Sequence, residues 1–511
     1  MAIRRLQRLV AALVAAIAAG STPAWADKAN NSLAVSVATP LATADPYYAP
    51  GAETQWIARA VFDTLIEIDG ATGALRPGLA TAWTWVDPRT LELTLRQGVT
   101  FHDGSRFDAD DVVYTFSFLS KFKEHQLPLP GRFSWFAGAK KVGPYKVRLF
   151  LRRSYPPALQ QLAINLPIMP GDYHRKLGNP KDFGRRPIGT GPYKATAGDD
   201  GRMTLVRFGN YWGGAKSGGK IERIVVSTVK DEAAQVAALS GGRADFIGGV
   251  TPAQAQELSA RPGVALTRGD SLAFAYLAVN AAEHNGAKRP TARPEVRQAI
   301  AHALDRAGIA RKFGMEPVTP AHAAFCHPAQ LGCPADAPSP AYDTQQARTL
   351  LKTVRLTDDI DLTIDTFGPF KPIAQAVADN LFQVTINARA EPLTLAAFNK
   401  KRSQGTLDAV VAQWNGGGLL DVSGTAATFF EGIGNDMTGD TALAELMKSA
   451  ATETDPKRRE ALYAEGFRKV AAEAYVVPLF RVVPEYAHVR GLGFEAGYLL
   501  GLPPLQGFVW Q

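Results

Sequence analysis

Long apolar runs, cysteine and histidine are all scarce in this 511-residue chain. A membrane-spanning helix needs roughly 20 apolar residues in succession. The charge-free run from Leu9 to Ala19 falls short of that, and later apolar stretches are broken by charges or helix breakers. This excludes a chain held in the bilayer by its own helices. Neither G-x-S-x-G nor H-E-x-x-H occurs, and His, Asp and Cys form no clustered catalytic constellation. The common signatures of secreted hydrolases are therefore missing. Basic runs interleaved with aromatics are missing too, which removes the usual footprint of a nucleic-acid site. No nucleic-acid partner, cofactor or metal is expected.

What is present is the composition of a folded protein. Hydrophobic residues make up 46% of the chain, enough to bury a core. The length is too great for one simple core and predicts two or three lobes. The net charge is +8, and three of its positives, Arg4, Arg5 and Arg8, stand at the extreme N-terminus. That basic start, the apolar run behind it and Ala24-Trp25-Ala26 form the layout of a secretory signal. Cleavage is expected after Ala26, giving a soluble mature chain in the periplasm. No Cys near the cleavage point offers a site for lipid.

The two cysteines, Cys326 and Cys333, bracket a short segment, FCHPAQLGC. An oxidising compartment makes a disulfide the leading reading. The alternative is a metal site built from His322, Cys326, His327 and Cys333. The surrounding prolines suit a stapled surface loop.

Strands and helices alternate irregularly. Leu33 to Ala38, Leu91 to Leu95, Lys146 to Leu151 and Ile221 to Val229 read as strands. Thr54 to Ile66, Asp108 to Leu119, Glu232 to Leu239, Pro294 to Phe313, Pro372 to Leu381 and Asp455 to Tyr475 read as helices. The fold class is α/β.

The run LATAWTWVDPRTLELTLRQGVTFHDGSRFDADDVVYTFSFL, Leu79 to Leu119, resembles the family 5 solute-binding proteins of ABC importers, which serve oligopeptides, dipeptides and nickel chelates. "FDTL" at Phe62–Leu65, "PIGTGPYK" at Pro187–Lys194, "RFGNYWGG" at Arg207–Gly214, "VRQAIAHALDR" at Val296–Arg306, "YDTQQARTLL" at Tyr342–Leu351 and "VVPLFR" at Val476–Arg481 are similar in the same order. Several motifs read as scaffold first. His102-Asp103 suits a turn, Gly189-Thr190-Gly191 a hinge-side turn without a phosphate-loop lysine, and Arg297 and Asp305 a solvated or structural ion pair.

The resemblance implies a periplasmic-binding-protein type II clamshell with two lobes and an extra domain. It places the signal at 1–26 and lobe one at 27–70, 186–272 and 482–511. The extra domain falls at 71–185 and lobe two at 273–481. It also implies a monomer, not an enzyme. Such a receptor holds a small-molecule or peptide-like ligand in the cleft by hinge closure and delivers it to ABC permease subunits of the inner membrane.

Peptide-binding relatives clamp the ligand ammonium with an Asp soon after a strand ending in Trp. The matching stretch here is VVAQWNGGGLLDVSG, Val410 to Gly424. Trp414 matches, but Gly416, Gly417 and Gly418 stand where the acid is expected. Asp421 comes later, where it serves instead or only starts the next helix. The stretch before the lobe-two helix, TIDTFGPFKP, offers Lys371 and no Arg. An unpaired buried ammonium is costly, so these departures argue against an ordinary dipeptide. The glycines also let a ligand approach backbone N–H groups. The preferred ligand is a bulky or modified peptide-like molecule, such as a metal-chelating natural product. An ordinary oligopeptide or dipeptide is the alternative. The residues expected to face the ligand are Tyr47, Tyr48, Trp414, Asn415, Gly416, Gly417 and Asp421, with Phe367 and Phe370 as weaker candidates.

Overall fold

A computed structural model describes residues 28–511, apart from 42, 50, 70–72, 129–132, 199, 214–215, 217–218, 284–288, 319–321, 355–359, 434 and 497–500. The expected leader, 1–26, lies outside the described residues. Three larger sheets organise the chain. The first is seven-stranded, in the order Val264–Arg268, Glu485–Val489, Phe246–Ile247, Ser32–Val37, Arg223–Thr228, Arg202–Arg207, Tyr193–Ala197. The second is six-stranded, in the order Glu316–Pro317, Val476–Arg481, Phe274–Val279, Ala409–Trp414, Ile360–Phe367, Ile386–Leu393. The third is a four-stranded antiparallel sheet in the order Ala80–Asp87, Thr90–Leu95, Lys146–Leu151, Phe136–Gly143.

Burial patterns explain which strand sits where. Phe274–Val279 is buried at every residue, as a central strand covered on both faces must be. Ser32–Val37 is buried at five of its six positions and pairs in parallel with both neighbours. Lys146–Leu151 instead buries alternate side chains, the pattern of a sheet with one covered face. The chain leaves the first large sheet after Arg268 and enters the second at Phe274. It returns between Arg481 and Glu485. Two short crossings therefore join the lobes.

Two expected helices end early, the first for a tertiary reason and the second for a local one. The helix begun near Thr54 stops at Val61 rather than Ile66. Asp63 is fully buried just beyond it, accepting bonds from Thr190 Oγ1 (3.0 Å) and Trp212 Nε1 (2.8 Å) and pairing with Lys216 at 3.0 Å. Satisfying that buried charge requires an extended chain there, and Ile66 then starts a strand. The expected helix Pro294–Phe313 is two helices, Pro294–Ala303 and Arg306–Lys312. Asp305 breaks it by capping the second, accepting from Gly308 N–H at 2.8 Å. Arg297 proves to be a buried structural cation. It is 1% exposed, donates to the Glu473 carboxylate at 2.7 Å and lies 4.5 Å over the Tyr475 ring.

The His102 turn is fastened to the Gly189–Gly191 turn. Gly189 N–H donates to His102 Nδ1 at 3.2 Å, so Nδ1 is the acceptor and Nε2–H donates to Gly191 O at 2.9 Å. Gly189 and Gly191 must be glycine because a Cβ on either would strike the Val61 backbone. Burial holds the imidazole down at about 4, while the Gly191 bond opposes the shift. The folded base thus binds its proton later than the unfolded one. Its stabilising contribution is present above pH ~6.5 and is lost as pH falls toward 4, to the extent of about 3 kcal/mol. The stability difference between wild type and His102→Gln, from denaturant melts at pH 7 and pH 4, should shrink as pH falls. Taking the difference cancels Asp45 and Asp111, whose carboxyls are pushed up to about 6 by burial and act in the opposite sense. A difference independent of pH would refute the clamp.

Candidate functional site

The strand Ala409–Trp414 lies inside the six-stranded sheet and ends at its rim. Trp414 is half-buried there. Its indole Nε1 donates to Thr425 Oγ1 at 3.0 Å, and its ring meets Phe429 edge-on at 5.2 Å. These contacts fix the indole plane, and the side chain stays partly exposed. Asn415 follows, exposed, and its side chain accepts from Gly417 N–H at 3.1 Å.

Three left-handed glycines come next, with φ of 66°, 69° and 74° at Gly416, Gly417 and Gly418. That conformation costs other residues about 1–2 kcal/mol each, so the triple glycine is a backbone requirement. Gly417 is exposed, and no heavy atom stands within 4 Å of where its Cβ would be. Gly416 is buried, and a Cβ there would strike Gln330 Nε2.

Asp421 does not offer a free carboxylate, contrary to its expected ligand-facing role. It is 3% exposed and holds Arg459 through two bonds of 2.5 and 2.7 Å, while accepting Ser423 N–H at 2.8 Å. The bidentate pair takes up the acid's charge. Tyr47 is likewise placed in the core rather than at an open surface. It is 2% exposed, its hydroxyl donates to Pro167 O, and its ring packs edge-on against Phe133 at 5.8 Å. Tyr47 N–H and Tyr48 N–H both donate to the buried Asp45 carboxylate. Tyr48 is half-buried, with Lys181 Nζ 5.6 Å from its ring, and burial pushes its hydroxyl up to about 12. Trp414, Asn415, Gly416 and Gly417 thus form one loop on lobe two, while the tyrosines belong to the packing of lobe one. Phe367 packs on Phe398 at 5.0 Å, Phe370 against the lobe-two core, and Lys371 is exposed at a helix start.

Sequence reasoning missed the residues that join the lobes. Leu419 is 2% exposed within a core otherwise built largely by the first sheet and the four-stranded sheet. Leu420 packs with Leu272 and Ile68. The loop that follows Trp414 therefore also carries a contact between the lobes. Two leucines directly after three glycines were the available signal. At the crossings, Arg481 pairs with Asp270 and with Glu316 at 2.9 Å. His322 and His327 flank Phe274, with ring centroids 5.8 Å apart. Burial, with the Arg481 charge adding to it, holds His327 down at about 4. Cys326 and Cys333 form a disulfide, which removes the thiolates a metal would need. Among the described residues, no group of three or more His, Cys, Asp or Glu is placed to hold a metal ion.

The family model described as bacterial extracellular solute-binding proteins, family 5 Middle, matches residues 74–436. The chain belongs to this family. Di/tripeptide-binding protein 1 of Pseudomonas aeruginosa is 24% identical over 491 residues, covering 88% of this chain and 89% of its own. Glutathione-binding protein GsiB of Salmonella paratyphi A is 28% identical over 377 residues, covering 73% and 71%. The periplasmic binding protein DppA of Helicobacter pylori, solved with the peptide STSA, superposes with a TM-score of 0.78 at 22% identity, over 94% of this chain and 98% of its own. This family 5 chain thus has the two-lobed type II α/β fold. Among the described residues, no helix is long and apolar enough to cross a membrane.

Proposed function

We propose that this family 5 protein is the periplasmic receptor of an ABC importer and captures a peptide-like ligand lacking a free ammonium at the Trp414 loop. A modified peptide or a metal-chelating natural product fits that description. The chain carries the ligand to permease subunits by closing its lobes. The observation behind this reading is the open space at Gly417 together with the pairing of Asp421 to Arg459. No carboxylate of the loop is left for an ammonium, and a buried unpaired cation is strongly disfavoured. Backbone N–H groups and the half-buried Trp414 ring suit an uncharged or anionic end instead.

The second reading is an ordinary peptide receptor, and the di/tripeptide-binding relative favours it. Calorimetry with trialanine and N-acetyl-trialanine separates the two. The N-blocked peptide is expected to bind at least as tightly as the free one. Tighter binding of the free peptide by tenfold or more would establish the second reading. In Gly417→Asp, a carboxylate enters the open space, and the preference is expected to swing about tenfold toward the free peptide. That figure is a charge-assisted bond reduced by the strain of a left-handed Asp. Mass spectrometry of ligand released from natively purified protein identifies the cargo.

A further inference from the structure

The Trp414 loop's own bonds hold it only in part: the Asn415 side chain accepts Gly417 N–H and the Asn415 carbonyl accepts Gly418 N–H, both at 3.1 Å. Three consecutive left-handed glycines have many alternatives, and the loss of backbone freedom on ordering is greatest for glycine. Contacts from outside the loop therefore add to the selection of this conformation. The segment closed by the Cys326–Cys333 disulfide lies directly against it. Leu331 N–H donates to Leu420 O and Val422 N–H donates to Leu331 O, both at 3.1 Å, so Leu331 and Asp421 pair like neighbouring strands. Gln330, inside the disulfide ring and 3% exposed, completes the junction. Its Nε2 donates to Leu419 O at 2.7 Å and stands against Gly416. Its Oε1 accepts His327 N–H at 2.8 Å, and its own N–H donates to His327 O at 2.8 Å. One buried amide thus links the stapled ring to the glycine loop on one side and to its own ring on the other. The carbonyl it holds belongs to Leu419, which is buried in the core shared with the other lobe.

We infer that Gln330, held in place by the Cys326–Cys333 ring, is the positioning residue of the ligand loop. It sets the height of Gly417 and the seat of Leu419, and so ties ligand affinity to lobe closure. The disulfide's part is to keep the ring from opening away from Leu419. The inference rests on the proposed reading of the 414–421 loop as ligand-facing.

Two substitutions separate the bonds. Gln330→Leu removes both side-chain bonds. Gln330→Glu keeps the acceptor for His327 N–H and removes the donor to Leu419 O. Hydrogen exchange on the mature full-length chain, without ligand, reads the Gly416–Val422 amides. Exchange there is expected to speed up about tenfold in both variants, with the helices and central strands of lobe two unchanged. The Cys326→Ser/Cys333→Ser double variant should move the same amides in the same direction. The Kd of N-acetyl-trialanine should rise about tenfold in both Gln330 variants, through a faster off-rate. Unchanged loop exchange in both Gln330 variants would overturn the inference. So would acceleration spread evenly over lobe two, which marks a merely structural residue. If N-acetyl-trialanine does not bind the wild-type protein, the ligand reading fails, and the exchange result still decides the role of Gln330.

Discussion

Replacing Asp421 by Asn should destabilise the protein by about 3–5 kcal/mol, the usual cost of stranding one member of a buried ion pair. Both side chains of the pair are 5% exposed or less, and the two bonds to Arg459 are 2.5 and 2.7 Å. Removing the carboxylate leaves a guanidinium inside lobe two, lying 5.0 Å over the Tyr463 ring, without its counter-charge. Denaturant unfolding of the ligand-free protein measures the loss. The Asp421→Asn/Arg459→Met double variant should recover much of it, because no charge is then left buried. A ligand-anchoring acid would behave otherwise. Its removal would relieve repulsion or change nothing in the free protein, and would cost only affinity. A stable Asp421→Asn protein with poor binding would return Asp421 to the ligand.

Trp414→Ala should weaken ligand binding by about 2 kcal/mol, or roughly 30-fold in Kd, as expected for an aromatic anchor in a closed cleft. The indole offers the largest apolar face on the loop, and its plane is set by Thr425 and Phe429. Thr425→Val keeps the ring and removes only the Nε1 partner, so its effect should stay near 1 kcal/mol. N-acetyl-trialanine titrations on both variants, with melting curves as controls, make the comparison. An unchanged Kd in Trp414→Ala would take the residue out of the cleft. The two predictions are complementary, since one expects stability to fall at Asp421 and the other expects affinity to fall at Trp414.

Much of the architecture was legible because it is local. Lys146–Leu151 alternates buried and exposed side chains, so the strand appears in the sequence with the same ends it has in the structure. Asp108 caps the helix Ala109–Ser120 in a reciprocal box with Asp111, a signal carried by residues three apart. The helix begun near Thr54 ended early for a non-local reason. The partners of Asp63 come from Thr190, Trp212 and Lys216, well over a hundred positions away. Periodicity near Thr54 has no means of registering them.

The site divides in the same way. Trp414 and the triple glycine could be read from the sequence because a strand end followed by a left-handed turn is a local pattern. The partner of Asp421 could not be read. Arg459 sits on the helix Pro456–Ala472 among other charged residues, and nothing in its spacing marks it as the buried one. The same holds for Tyr47, whose aromatic ring suits a ligand wall or a core equally until Pro167 and Phe133 are brought around it.

By itself, then, the sequence determined the α/β class, the family, the cysteine pairing as the leading reading, and the absence of an acid immediately after Trp414. Each depends on residues close in the chain or on motifs in a set order. Only the tertiary structure decided which charges are spent and which are free. Whether a carboxylate can meet a ligand depends on what folds against it, and for Asp421 that is Arg459, from 38 positions further along the chain.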